Sequence, residues 1–266
     1  MSDDLTWKQF YISRDGLGVG GSELPLLDIC PDSPMCWASI TPDEQSRFSM
    51  AHPFIGRRYG EGRLLVYGQN LNLGRDNPPT IWPWLAEFVE TVSQYQQDGW
   101  KRKTGLGDDK YQTPFWHFSI AYATVITNHL GVTRVDDPYE NIVGDSATWE
   151  MLALSEVVKC QPFRGNGEPS AQMFQTCARR FACYEPSQLQ PAPVAGRVVG
   201  MEAARALADA HGASVTEHTS QAFVSWLAGN TLYFGVPHPA RPGFSRADLI
   251  VKFDSIVGNL LGPPRT

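Results

Sequence analysis

Four short apolar runs constrain this chain more than any other feature. They are residues 63–68 (RLLVYG), 151–158 (MLALSEVV), 194–199 (VAGRVV) and 231–236 (TLYFGV). Each is bounded by Gly, Pro or charged residues, as a buried strand feeding a loop should be. Helical stretches lie between and around them. Residues 81–97 set Leu85, Phe88, Val89 and Val92 on one stripe, and residues 116–130 form a second such stretch. Residues 170–184 open with Ser170 as a helix N-cap after Pro169. Residues 201–211 are Ala-rich and stop at Gly212, and residues 247–261 precede Gly-Pro-Pro. Strands alternating with helices imply right-handed crossovers. The expected fold is therefore α/β, a three-layer α/β/α arrangement around a central, mostly parallel four-stranded sheet. In such sheets ligands bind beyond the carboxyl ends of the strands, here loops 69–74, 159–167, 200–201 and 237–243.

The chain has 266 residues and shows no linker, so one domain over 1–266 is expected, with 1–62 as an irregular N-terminal wrap. Hydrophobic residues make up 42% and charged residues 19%, the balance of a chain that folds. No apolar run approaches the roughly 20 residues that span a bilayer. The start, MSDDLTWKQF, lacks the basic and apolar regions of a secretory signal, so the expected location is the cytoplasm, away from membranes. A net charge of -6 disfavours a non-specific DNA coat protein but leaves room for an enzyme with a local basic groove. Short basic clusters at Arg57-Arg58, Lys101-Arg102-Lys103 and Arg179-Arg180 read first as solvated surface. The five cysteines, Cys30, Cys36, Cys160, Cys177 and Cys183, are odd in number and follow no signal peptide. A disulfide framework is thus disfavoured, and the choice lies between buried thiols and a metal or cluster site.

The strand-end loops carry the chemistry. The first reads Gly68-Gln69-Asn70-Leu71-Asn72-Leu73-Gly74, with a glycine at each end to allow a tight turn. The second reads EVVKCQPFRGNGEP from Glu156, and 16 residues separate Cys160 from Cys177. The third strand runs into VGMEAARAL from Val199, and the fourth into Pro237-His238-Pro239-Ala240-Arg241. In this order the four elements resemble the uracil-DNA glycosylase superfamily, and most of all its thermophile-type, iron–sulfur branch. That branch has V-V-K-C with a second Cys some 16 residues on, then L-G-x-x-A-A-x-A-L and H-P-S. The resemblance covers residues 63–74 and 151–261, and residues 75–112 then look like an insertion.

The resemblance implies roles. Asn70 falls where the superfamily positions the attacking water, although Leu71 replaces the usual Pro. Asn70 would have capping of its own loop as an alternative use. His238 would donate a hydrogen bond to the departing base, as an oxyanion-hole donor does. Gly68 and Gln69 would border the base, and Phe115, after Pro114, would stack on it or else pack in the core. Arg241 and Arg246 would lie near the DNA backbone, or stand exposed as a solvated pair.

Two positions depart from the family. Where it reads the uracil edge with an Asn before V-V-K-C, this chain has Glu156. An amide matches uracil N3–H and O4, whereas an ionised carboxylate only accepts. Glu156 would then suit a base edge presenting donors, or would donate if protonated. The second departure is Cys30-x5-Cys36, wider than the short-spaced pair that completes a [4Fe–4S] site with the counterparts of Cys160 and Cys177. The resemblance implies a monomeric, monofunctional DNA glycosylase of base-excision repair, hydrolysing the N-glycosidic bond of a deaminated or damaged base in single- or double-stranded DNA. The alternative is a member with altered or lost catalysis that binds nucleic acid or a nucleobase. Ser155 has no Gly-x-Ser-x-Gly setting and carries little weight as a nucleophile.

Overall fold

The four apolar runs form the middle of one sheet. The computed structural model describes residues 49–50, 54–56, 58–69, 102–103, 111–112, 115–138, 147–158, 160–161, 169–218, 222–238 and 246–263. In chain order the elements are β1 (Ser49–Met50), β2 (Phe54–Ile55), α1 (Tyr59–Gly62), β3 (Leu64–Gly68), β4 (Arg102–Lys103) and β5 (Tyr111–Gln112). Then come α2 (Phe115–His129), α3 (Ala147–Glu150), β6 (Leu152–Glu156), β7 (Cys160–Gln161), α4 (Ala171–Arg180) and a 3-10 helix (Ala182–Gln188). The last are β8 (Ala195–Val199), α5 (Met201–Ala210), β9 (Thr216–His218), β10 (Phe223–Ala228), β11 (Thr231–Val236) and α6 (Arg246–Leu261). Among the described residues no helix is long and apolar enough to cross a membrane.

The fold is mixed α/β. The main sheet has the order β2-β6-β3-β8-β11-β10-β9. Its central strands β6, β3, β8 and β11 run parallel to one another. The sheet therefore has seven strands rather than the four expected. The three extra strands all join antiparallel: β2 on β6, β10 on β11 and β9 on β10. The β10–β11 hairpin closes through Gly229-Asn230, with Gly229 at φ +57° and Ala228 opposite Thr231. A two-residue Gly-Asn turn between apolar runs is a hairpin signal that the strand-by-strand reading passed over. β2 comes from the segment expected to be an irregular wrap.

The central strands are buried on both faces, as parallel strands must be. Every residue of β3, β6 and β8 is buried. Alternate side chains enter two separate apolar clusters. Leu64, Val66, Leu152 and Phe234 pack with Phe118 and Tyr122 of α2 and Phe253 of α6. Leu65, Tyr67, Ala153 and Tyr233 pack with Phe174 and Cys177 of α4 and Leu207 of α5. Phe253 is the hub of the first cluster, edge-on to Tyr122 at 4.8 Å and stacked on Phe223 at 5.6 Å. His129, at the end of α2, ties that helix to α6. Its ring nitrogens bond Gly262 O at 2.7 Å and Asp254 Oδ1 at 3.0 Å.

Of the four expected helices that lie in the described residues, three fall within one or two residues of those observed and one differs. Ser170 does cap α4, accepting from Met173 N at 3.3 Å. The helix then ends at Arg180 and tightens into the 3-10 turn rather than running on to residue 184. Pro186 lies inside that turn and has no N–H to continue an α-helical ladder. The expected helix over 81–97 lies outside the described residues, as does most of the expected insertion, 75–112. Within it, β4 and β5 pair as a two-residue antiparallel ladder.

The second cluster holds a neutral histidine. His211 Nδ1 accepts from Trp226 Nε1 at 3.2 Å, and its ring lies 5.0 Å from that of Tyr233. Burial pushes the imidazole down to about 4, against a backbone hydrogen bond with Cys183 that favours the charged form. The unfolded ring titrates near 6.5. The stabilisation is therefore complete above about pH 6.5 and is lost as pH falls toward 4, because only the unfolded chain gains the proton. Urea titrations should show stability falling by up to about 3 kcal/mol across that window. His211→Phe should flatten the profile there.

Candidate functional site

Parallel strands end on a common edge, and here four end together. Gly68 is level with Glu156, and Val236 is level with Val199. The chain leaves β3 for β6 on one side, and β8 lies on the other. The crevice between β3 and β8 is thus the topological switch point of the sheet, where α/β folds place ligands.

Glycines let side chains cross this crevice. Gly200, the N-cap of α5, has φ +89°, and its amide donates to Val236 O at 2.8 Å. A Cβ there would fall 2.5 Å from Gln69 Cδ and 2.8 Å from Cγ, so Gln69 spans the crevice against bare backbone. Val157 N donates to Gly68 O at 3.0 Å and Val158 N to Gln69 O at 2.9 Å, which joins the second loop to the first. His238 follows buried Pro237 at the far end, half-buried.

Glu156 ends β6 and is 7% exposed. Its carboxylate lies across Gly68, where a Cβ would sit 2.6 Å from Cδ and from Oε1. The alternation of β6 puts Glu156 on the face of Leu154, toward α2 and α6. Ser155 faces the other way. Its Oγ donates to Glu185 Oε1 at 3.1 Å, and both groups are buried. This is a structural pair beneath the sheet, consistent with the absence of a nucleophile setting.

The sequence reading missed Arg197. It sits mid-strand in β8, between Ala195 and Val199, and is 1% exposed. Its Nε and Nη1 have no hydrogen-bond partner, and neither has the buried Tyr122 hydroxyl. Burial lowers the guanidinium to about 9, while the fields of Tyr122 and Glu156 act to raise it, so it is still charged at neutral pH. Burial likewise holds the Tyr122 phenol protonated well above its usual range. The signal was in the sequence: one charge within an otherwise apolar run.

Of the expected site residues, Gly68, Gln69, Glu156 and His238 are at the strand-end edge. Asn70, Arg241, Cys30 and Cys36 lie outside the described residues. Phe115 is the first residue of α2, Arg246 the first of α6, and Cys160 begins β7, but their side chains lie outside the described set. Cys177 is buried on α4 among Met173, Phe174 and Phe181. Among the described residues no group of three or more His, Cys, Asp or Glu could hold a metal ion. Set against models of known protein families and against curated proteins, the chain matches none.

The crevice geometry can be tested at two glycines of positive φ. Nothing lies within 4 Å of a Cβ at Gly212, whereas one at Gly200 meets Gln69. Gly212→Ala should cost only the left-handed backbone term, about 1–2 kcal/mol in urea unfolding. Gly200→Ala should cost more, because Gln69 must also move.

Proposed function

We propose that the chain is a DNA glycosylase-like protein with the three-layer α/β/α fold of the uracil-DNA glycosylase superfamily. It would hydrolyse the N-glycosidic bond of a deaminated or damaged base without a covalent intermediate. One observation carries the reading. The parallel ends of β3, β6, β8 and β11 bring Gly68-Gln69, Glu156, Gly200 and His238 to one edge, and these stand in the order of the resembled motifs. The two apolar clusters divided by the central strands support the layered architecture.

In this mechanism the target base leaves the stack and enters the crevice. Phe115 stacks on it and Glu156 reads its edge. As the glycosidic bond breaks, negative charge grows on the base, and His238 donates a hydrogen bond to it. Asn70 orients the water that attacks the sugar. Arg241 and Arg246 take the phosphates, supplying a local positive patch in a chain of net charge -6. A second reading, binding without hydrolysis, is favoured by Glu156 itself, a carboxylate where the family uses an amide.

A [4Fe–4S] cluster on Cys30, Cys36, Cys160 and Cys177 belongs to the same proposal. Four thiolates are a suitable donor set. The pairing of Met50 with Cys160 supports it, because it joins Ser49–Met50, which follow Cys36 by a short stretch of chain, to the strand of Cys160. Such a cluster would pin that segment to the domain and take no part in hydrolysis.

Purified protein should release base from at least one oligonucleotide in a set containing uracil, hypoxanthine, xanthine or a damaged guanine. His238→Ala should slow release by about 10²–10³-fold. Salt-dependent binding without release would establish the second reading, and neither binding nor release would sink both. Anaerobically purified protein should carry about four irons per chain and absorb broadly near about 400 nm. A colourless, iron-free protein removes the cluster and leaves the strand-end site standing.

A further inference from the structure

Arg197 and Glu156 lie on the same face of the sheet, two strands apart. Val66 is level with both Arg197 and Leu154, and Gly68 is level with Glu156. Glu156 is thus two residues nearer the open edge. Adjacent strands are about 4.8 Å apart, so only long side chains leaning inward can meet over β3. Gly68 provides the passage, because any side chain there would occupy the place of the Glu156 carboxylate. The guanidinium, buried with two of its nitrogens unsatisfied, needs a nearby negative charge more than any exposed arginine does. Glu156 is the carboxylate whose field reaches it, and Tyr122 of α2 is the other titratable group that does. Among the described residues, that face also carries the apolar side chains of Val66, Phe234 and Phe253.

We propose that Arg197 is a positioning residue that holds Glu156 as an anion at the strand-end site, so that the site selects a base edge of adjacent N–H donors over one of carbonyl acceptors. The inference rests on the reading of this edge as a nucleobase site and decides what it prefers. An ionised carboxylate has two acceptor oxygens and no donor. Its match is a pair of parallel N–H groups, such as N1–H and N2–H₂ of a 2-amino-6-oxopurine. A uracil edge turns a carbonyl lone pair toward the carboxylate, and two unshielded acceptors facing each other oppose binding. The carboxylate at residue 156 is thus read as a change of specificity rather than as damage to a uracil reader.

The test measures binding of 2′-deoxyguanosine and 2′-deoxyuridine by ligand-observed NMR between about pH 5 and 8. Wild-type protein should prefer deoxyguanosine by on the order of tenfold or more, with little pH dependence near neutrality. Glu156→Gln should shift the preference toward deoxyuridine. Arg197→Met should reduce the preference near neutral pH and recover it as pH rises, because Glu156 then loses its proton later. Arg197→Lys should keep the wild-type profile. If Arg197→Met fails to fold, Gly68→Ala takes its place, since it displaces the carboxylate without touching the guanidinium. Equal preference in wild type and Glu156→Gln overturns the inference while leaving the nucleobase site intact. If no variant binds either nucleoside, the nucleobase reading fails and takes the selectivity with it. The ¹³C carboxyl titration of Glu156 then isolates the role of Arg197: the same midpoint in wild type and Arg197→Met overturns it.

Discussion

The parallel ladder β6-β3-β8-β11 is the constraint on which the rest of the molecule depends. Parallel strands cannot turn back through a tight hairpin, so each return crosses a face of the sheet, and the crossing segments cover both faces. Burial on both sides explains why β3, β6 and β8 read as continuous apolar runs. It also explains why their alternate residues feed two separate clusters. The same directionality gathers all four carboxyl ends on one edge. The candidate site is therefore a consequence of strand direction before any particular side chain is considered.

A sheet buried on both faces makes polar residues costly, and the molecule confines them to a few places. Beneath the sheet, Ser155 meets Glu185, and the Tyr67 hydroxyl donates to Ala182 O at 2.8 Å. His211 is held neutral by Trp226 and the apolar surroundings. Each of these residues has a hydrogen-bond partner within the fold. Arg197 is different, because its Nε and Nη1 are unmatched and the fields that reach it come from Tyr122 and from Glu156 at the open edge. In the proposed reading, the field of Glu156 couples the core to the site.

Much of this was legible in the residues. The four central strands and the ends of most helices follow from run length, capping by Ser170 and the stop at Gly212, all local features. The flanking strands were less legible. β2 is two residues long and β9 is three, too short to carry a pattern, and each exists because a neighbour offers an unpaired edge. The Gly229-Asn230 turn was readable but was not used. Within the site, Gly68, Gln69, Glu156 and His238 were named from the resemblance of the strand-end motifs to a known family. Arg197 was not, because a charge in an apolar run reveals its importance only once burial and a partner are known.

The strand-and-helix order follows from the residues alone, and with it a largely parallel central sheet and the edge where a ligand would bind. These depend on hydrophobic runs and turn residues that act over a few positions. Tertiary structure alone decided the strand order, the docking of β2 on β6, the crossing of Gln69 over Gly200 and the placing of Glu156 and Arg197 on one face of the sheet on either side of β3. Those contacts join residues that lie tens of positions or more apart in the chain. They depend on which strand lies beside which, and on where a missing side chain leaves room, which no local pattern encodes.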